Sequence, residues 1–138
     1  MTSRDEREVR TAFGERYAIP GSALNDDIER RVIGDAWGAN GFTTRAQADE
    51  IARRLSLGPG ISLLDVGTGR GWPGLYLAAV SGCDVVGTDL PMEGLQIAGA
   101  RASAEGMDGR ASMVVASGRT QPFRPRAFDA IVHSDVIC

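Results

Sequence analysis

The sequence contains no lysine, one histidine and two cysteines, Cys83 and Cys138. So few cysteines and histidines form neither a disulfide framework nor a zinc site, and no metal is expected. No apolar run approaches the roughly 20 residues that cross a bilayer. The N-terminal MTSRDEREVR is polar where a secretion signal has an apolar core. These absences predict a cytoplasmic, reducing setting without a membrane partner.

An excess of basic charge is also lacking. All 15 basic residues are arginine, the net charge is -3 and the pI is about 5.1. No basic surface that would neutralise nucleic-acid phosphates is expected, and the arginine preference indicates coding bias. A length of 138 residues with 43% hydrophobic residues suits one domain with a real core.

The first third of the chain has helical periodicity. Val9, Phe13 and Tyr17 share one face of a predicted helix that ends before Pro20. Two further helices are predicted, one carrying Leu24, Ile28 and Val32 and one carrying Ala48, Ile51 and Leu55. Together they make residues 1–57 an expected helical segment or lid.

The second and third helices are separated by a loop at residues 37–42, WGANGF. This loop either folds over a ligand site or only connects the two helices. Thr44 and Gln47 have the spacing of a capping box, which predicts that the third helix begins there.

From residue 61 onward, short apolar runs alternate with helical segments. The predicted strands are ISLLDVG, CDVVGTD, ASMVVAS and FDAIVHS, and helices are expected over GLYLAAV and over residues 91–105. This alternation predicts an α/β fold with a parallel sheet over residues 58–138.

Residues 63–74, LLDVGTGRGWPG, contain two overlapping glycine patterns. One is G-x-G-x-G at Gly67, Gly69 and Gly71, and the other is the dinucleotide-binding G-x-G-x-x-G at Gly69, Gly71 and Gly74. The second pattern would extend the strand past Asp65 and bury its carboxylate at a cost in stability. The first places Asp65 at the carboxyl end of the strand, where ligands bind in open α/β sheets. There it can hold the backbone donors of the loop or, through water, the ammonium of an amino-acid ligand.

Asp89 ends the second predicted strand, where a carboxylate can accept both hydroxyls of a ribose. Either glycine pattern requires an acid at this place. Asp89 therefore predicts an adenosine-type ligand without choosing between the patterns.

LLDVGTGRGWPGLYLA, VVGTDLP and QPFRPRAFDAIVHSDVI, in this order, resemble a class I S-adenosylmethionine-dependent methyltransferase over about residues 37–138. The resemblance is close to small-molecule methyltransferases of the ubiquinone and arsenite type. It implies the first four strands, ordered 3-2-1-4, of an incomplete seven-stranded Rossmann-like sheet. It also implies S-adenosylmethionine as cofactor and a small-molecule acceptor.

By position, the resemblance also implies a cofactor site. The glycine loop would take the methionine part, the acid after the second strand the ribose, and the segment after the third strand the adenine. The residues are Asp65, Gly67, Thr68, Gly69 and Gly71, then Asp89 with Leu90, then Ser117 and Gly118. The family usually has Asp where this chain has Ser117, and a hydroxyl is a weaker acceptor than a carboxylate.

His133 ends the fourth predicted strand, near where the family places the reactive methyl group. It is the candidate for a catalytic or substrate contact, although a lone histidine at a strand end is more often structural. Methyl transfer from a sulfonium is a direct displacement that mainly requires positioning, so the lack of a catalytic triad excludes nothing.

Two other functions remain open from the sequence. The pattern ending at Gly74 fits an NAD(P)-binding oxidoreductase fragment. The sequence stops just after the fourth strand, whose open edge predicts self-association, pairing with another chain, or a fragment of a longer protein. A non-catalytic remnant that binds a partner through this edge is the third alternative.

Overall fold

The computed structural model describes residues 4–136, so Cys138 lies outside the described residues. Three helices come first: α1 (Arg4–Ala18), α2 (Ala23–Val32) and α3 (Arg45–Arg54). Strands and helices then alternate: β1 (Ser62–Val66), α4 (Gly74–Ser81), β2 (Asp84–Asp89), α5 (Met92–Ala104), β3 (Ala111–Val115) and β4 (Ala130–His133).

The four strands form one parallel sheet in the order β3-β2-β1-β4, which confirms the predicted order. Val66 at the end of β1 is paired with Thr88 of β2 and with His133 of β4. The carboxyl ends of these strands therefore meet at one edge of the sheet. The loops that follow them, including the glycine loop, are brought together there.

The core lies between the sheet and the helices that follow β1 and β2. Leu63 of β1 and Leu75 and Leu77 of α4 are fully buried. Residues Gly74–Ala78 of α4 are all buried, as its continuous apolar sequence predicts. Burial of each such leucine contributes about 1.5–3 kcal/mol, so this layer fixes the scaffold that carries the loops.

The capping box of α3 is present as predicted. The Thr44 hydroxyl accepts the backbone N–H of Gln47 at 3.2 Å, and the Gln47 side chain accepts that of Thr44 at 2.8 Å. Ala48, one turn later, is fully buried. This cap orients α3 against α4.

The apolar faces of α1 and α2 are only partly covered. Tyr17 is 7% exposed, whereas Val9 is 46% and Phe13 38% exposed. On α2, Leu24, Ile28 and Val32 are 50–68% exposed. The segment after α2 is held instead by Glu29, whose carboxylate accepts the N–H groups of residues 37, 38 and 39, each at 2.9 Å.

Within residues 4–136, the outer edge of β4 is not paired with another strand, and Ile131 is 60% exposed. None of the helices described has the length and apolar character to cross a membrane. The cytoplasmic location and the division at residues 57 and 58 stay predictions.

Candidate functional site

The glycine loop begins directly after Val66, as the first glycine pattern requires. Gly67, Gly69 and Gly71 have φ values of 75°, 54° and 101°, which side chains rarely tolerate. A Cβ atom on Gly67 would also overlap the side chain of Val136. Gly74 instead begins α4, and its Cβ atom would overlap Oδ2 of Asp65. The structure therefore favours the pattern that begins at Gly67, with Gly74 serving helix packing.

Asp65 is hydrogen-bonded to the glycine loop and to the start of α4. Its Oδ2 accepts the Thr68 hydroxyl at 2.6 Å and the Gly74 N–H at 2.9 Å. Its Oδ1 is buried and has no hydrogen-bond partner among residues 4–136. Burial raises the pKa of the Asp65 carboxyl to about 7, although the two hydrogen bonds act in the opposite direction. One acceptor oxygen therefore remains available beneath the loop.

Asp89 joins the glycine loop to the segment after β2. Its Oδ2 accepts the Gly69 N–H and its Oδ1 accepts the Leu90 N–H, both at 2.8 Å. Burial raises the pKa of Asp89, and the two backbone donors partly offset this. Each carboxylate oxygen has a second lone pair, so two hydroxyl groups can still donate to it.

Two cavities, each of about 550 Å³, lie at this edge of the sheet. The Ser117 cavity is lined by Asp5, Glu6, Val9, Val66, Leu90, Ser117, Gly118, Arg119, His133 and Val136. The Trp72 cavity is lined by the aromatic residues Phe13, Tyr17, Phe42 and Trp72, by Arg16, Ala39–Gly41 and Gly67–Arg70, and by His133–Val136. His133 lines both cavities, so it lies where the two meet.

The loop at residues 37–42 folds against the glycine loop rather than only joining two helices. Its Trp37 ring lies 5.7 Å from the ring of Trp72 and 6.2 Å from that of Tyr76. The indole N–H of Trp72 donates to the carbonyl of Thr43 at 3.0 Å. Asn40, Gly41 and Phe42 thereby become part of the wall of the Trp72 cavity.

Asp135, two residues after the end of β4, is hydrogen-bonded to the loop segment that walls the Trp72 cavity. Its carboxylate accepts the N–H of Phe42 at 3.0 Å, the N–H of Thr43 at 3.3 Å and the Thr43 hydroxyl at 3.1 Å. Burial alone would raise the pKa of Asp135, but these donors and Ser134 hold the pKa below its usual range. Asp135 therefore holds residues 42 and 43 beside the end of β4 as an ionised carboxylate.

Arg70, inside the glycine loop, holds the end of α1. Its Nη2 donates to the carbonyls of Tyr17 at 2.7 Å and Ile19 at 3.1 Å, and its guanidinium lies 5.6 Å from the Tyr17 ring centre. Cations are favoured at helix C-termini, where carbonyls lack partners. Burial raises the pKa of Tyr17, so its hydroxyl stays neutral near the loop.

Several residues of the site were not singled out for it by the sequence, namely Glu6, Phe13, Tyr17, Asn40, Arg70 and Asp135. Two signals pointed to part of this set: the apolar stripe of α1, and the loop at residues 37–42, which contains Asn40 and for which folding over a ligand site was one of two interpretations. Within residues 4–136, no group of three or more His, Cys, Asp or Glu is arranged to hold a metal ion.

A model of the methyltransferase domain family matches residues 63–138, which is more than half of the chain. 24-Methylenesterol C-methyltransferase 2 of Oryza sativa subsp. japonica is 34% identical over 95 residues, covering 69% of this chain and 26% of the relative. Methyltransferase GfsG of Streptomyces halstedii is 32% identical over 83 residues, covering 60% and 30%. This chain thus spans about a third or less of these relatives.

Solved structures share the fold. Geranyl diphosphate C-methyltransferase from Streptomyces coelicolor A3(2), solved with S-adenosyl-L-homocysteine, has a TM-score of 0.72 at 18% identity, over 96% of this chain and 54% of that one. The [4+2]-cyclase SpnF has a TM-score of 0.64 at 24% identity, over 91% and 48%. Proteins with different reactions therefore have this fold.

Proposed function

The chain belongs to the family of methyltransferase domains, and from that premise we propose that it binds S-adenosylmethionine and presents the methyl group to a small-molecule acceptor. The observation that carries this proposal is the pair Asp65 and Asp89. The two carboxylates lie at the carboxyl ends of neighbouring strands and hold the same glycine loop, one through Thr68 and Gly74 and the other through Gly69.

The residues fit the three parts of this cofactor. Asp65 Oδ1, a buried acceptor without a partner in the described chain, suits the ammonium of the methionine part, reached through water. Asp89 would accept the ribose hydroxyls, and Leu90, Ser117 and Gly118 would line the adenine. Gly67, Thr68 and Gly69 would pass close to the methionine part, because no side chain at the glycines obstructs it.

When bound, the cofactor supplies a methyl group already activated by the sulfonium charge. What the protein contributes is alignment and exclusion of water. Phe13, Tyr17 and Trp72 wall the Trp72 cavity with aromatic surface. His133, at the junction of the cavities, is the proposed contact to the acceptor, and it would accept a proton only if the acceptor loses one.

We propose an acceptor with an apolar body. A groove that shares residues 39–42 with the Trp72 cavity is lined by the apolar side chains of Ile19, Ile28, Val32 and Phe42 and by the charged ones of Arg16, Asp26, Glu29 and Arg70, so its apolar residues offer contacts for such a body beside the proposed reaction site. A sterol methyltransferase among the relatives and the geranyl diphosphate enzyme among the solved structures are named for acceptors with an apolar hydrocarbon body, the second of which also carries a charged diphosphate, and this supports the proposed class.

We also propose a role for the outer edge of β4, which is not paired within residues 4–136. The outer side of β4 offers unpaired backbone groups beside an exposed Ile131, and such an edge pairs readily with another strand. We propose that β4 of this chain pairs with a further strand, from a second copy, from another polypeptide or from a longer protein of which this sequence is a part.

Titration calorimetry with S-adenosylmethionine, S-adenosylhomocysteine and NAD tests the proposed ligand. Saturable binding of the first two without NAD binding is expected. Binding of NAD alone would restore the oxidoreductase alternative, and binding of none would favour a partner-binding remnant. Transfer of a labelled methyl group to an apolar acceptor extract then tests the reaction itself.

A further inference from the structure

Glu6, in the first turn of α1, is hydrogen-bonded to Ser117, which follows β3 and lies 111 positions later in the chain. The Ser117 hydroxyl is the donor and a carboxylate oxygen of Glu6 is the acceptor. This hydrogen bond holds the Glu6 carboxylate of α1 at the wall of the Ser117 cavity, beside Leu90 and Gly118.

The opposite end of α1 is anchored to the body of the protein. Tyr17 is buried, and Arg70 donates to the carbonyls that end the helix. Gly14 packs against α5 so closely that a Cβ atom would lie 2.9 Å from the Glu93 carboxylate. The helix is therefore fixed at its C-terminal half and extends its N-terminal half across the cavity.

The N-terminal half of α1 presents an apolar side chain to the same cavity. Val9 lines it together with Val66 and Leu90, and remains half exposed. Asp5, Arg119 and His133 also line this cavity. The apolar walls together with the Glu6 carboxylate suit a flat apolar ring that carries an N–H donor. A purine with an exocyclic amino group has both properties.

We propose that Glu6, oriented by Ser117, accepts the amino group of the cofactor's adenine and thereby selects adenine over other nucleobases. This inference rests on the proposed function, because it concerns the same ligand. The proposal makes α1 part of the binding site. Its Glu6 supplies the carboxylate acceptor at the position where the α/β domain has only the Ser117 hydroxyl.

The test compares binding of S-adenosylhomocysteine with that of S-inosylhomocysteine, in which an oxygen replaces the amino group. A carboxylate that loses its N–H donor and faces an oxygen disfavours the inosine analogue, by about tenfold or more in Kd. In Glu6→Ala this preference falls to within about twofold, because the selecting acceptor is gone. Glu8→Ala serves as the matched control, since Glu8 is on the same helix, paired with Arg4 at the surface.

A second variant keeps the test independent of any change in α1. Placing a carboxylate on the body through Ser117→Asp, in the Glu6→Ala background, is expected to restore the adenine preference. Wild-type and Glu6→Ala proteins with equal preferences would overturn the inference, as would tighter binding of both ligands by Glu6→Ala, which would show that Glu6 only fills space. Failure of the wild type to bind S-adenosylhomocysteine would overturn the proposed function and this inference with it.

Discussion

The guanidinium of Arg70 donates to the carbonyl of Tyr17 at 2.7 Å, which links the centre of the glycine loop to the end of α1. The glycine loop and α1 are thus connected by this hydrogen bond, although the two residues are 53 positions apart. A change in the loop conformation is expected to reach α1 through this contact.

Replacing Arg70 tests that connection. Arg70→Ala is expected to cost about 1–2 kcal/mol of stability, because the carbonyls at the end of α1 lose their charged donor. Hydrogen exchange of α1 amides is expected to accelerate more than that of α4 amides. Arg54→Ala, which removes only a surface ion pair with Glu50, is the control. Equal exchange of α1 in both variants would contradict the link.

Gly67→Ala tests the conformation of the loop. The new methyl group meets Val136 at a φ of 75°, so a loss of at least about 1 kcal/mol of stability is expected, together with weaker cofactor binding. Gly58→Ala is the matched control, because a Cβ atom there has nothing within 4 Å. Chemical unfolding of the two variants measures the difference. Equal stability would show that Gly67 is not constrained as described.

The pH dependence of stability reports on Asp65. Its pKa is about 7 in the folded protein against an ordinary value of 3.8, so the folded state holds a proton that the unfolded state releases in this range. The stability from the protonated, buried carboxyl is complete below pH 3.8 and is lost as the pH rises towards 7, by at most about 1.4 kcal/mol per pH unit. Asp65→Asn keeps an oxygen for Thr68 and Gly74 but does not titrate.

Urea unfolding of the wild type and of Asp65→Asn across this pH range makes the comparison. The wild type is expected to lose stability relative to the variant as the pH rises. Asp129→Asn is expected to change the pH dependence of stability in the opposite direction. The Ser62 N–H and hydroxyl hold the pKa of Asp129 below its usual range, so the stability that the Asp129 carboxylate contributes is lost as the pH falls. Parallel curves for wild type and Asp65→Asn would contradict a raised pKa.

The edge of β4 gives a prediction about association. Light scattering after size-exclusion chromatography is expected to show a concentration-dependent dimer, and Ile131→Lys is expected to weaken it, because an edge lysine opposes strand pairing. Val80→Lys changes an exposed valine in α4 and controls for solubility. A clean monomer of the wild type at high concentration would argue against pairing between copies.

Features that depend on neighbouring residues could be predicted from the sequence. The end of β1 at Val66 was predicted from the glycine pattern that begins at Gly67, but the premise that this register spares the Asp65 carboxylate from burial was wrong, because Asp65 is fully buried within β1. The capping box followed from the spacing of Thr44 and Gln47. The order of the sheet came from the family resemblance and is confirmed.

Contacts between distant segments could not be predicted in this way. Neither the charge of Glu6 nor the hydroxyl of Ser117 indicates that the other lies beside it, since the contact depends on where α1 crosses the sheet. The apolar stripe on α1 was predicted, but the half exposure of its residues Val9 and Phe13 was not. These side chains line open cavities instead of packing into the core, and the cavities form only in the folded structure. The roles of Arg70 and Asp135 in holding neighbouring loops likewise depend on tertiary structure.

The central claim is that Asp89 binds the ribose of an S-adenosyl ligand, and calorimetric titration of Asp89→Ala with S-adenosylhomocysteine tests it most directly. Asp84→Ala is the control, because Asp84 is the exposed acid at the opposite end of the same strand. The account predicts that Asp89→Ala raises the Kd by about tenfold or more, while Asp84→Ala binds like the wild type. Wild-type affinity in Asp89→Ala would contradict the account.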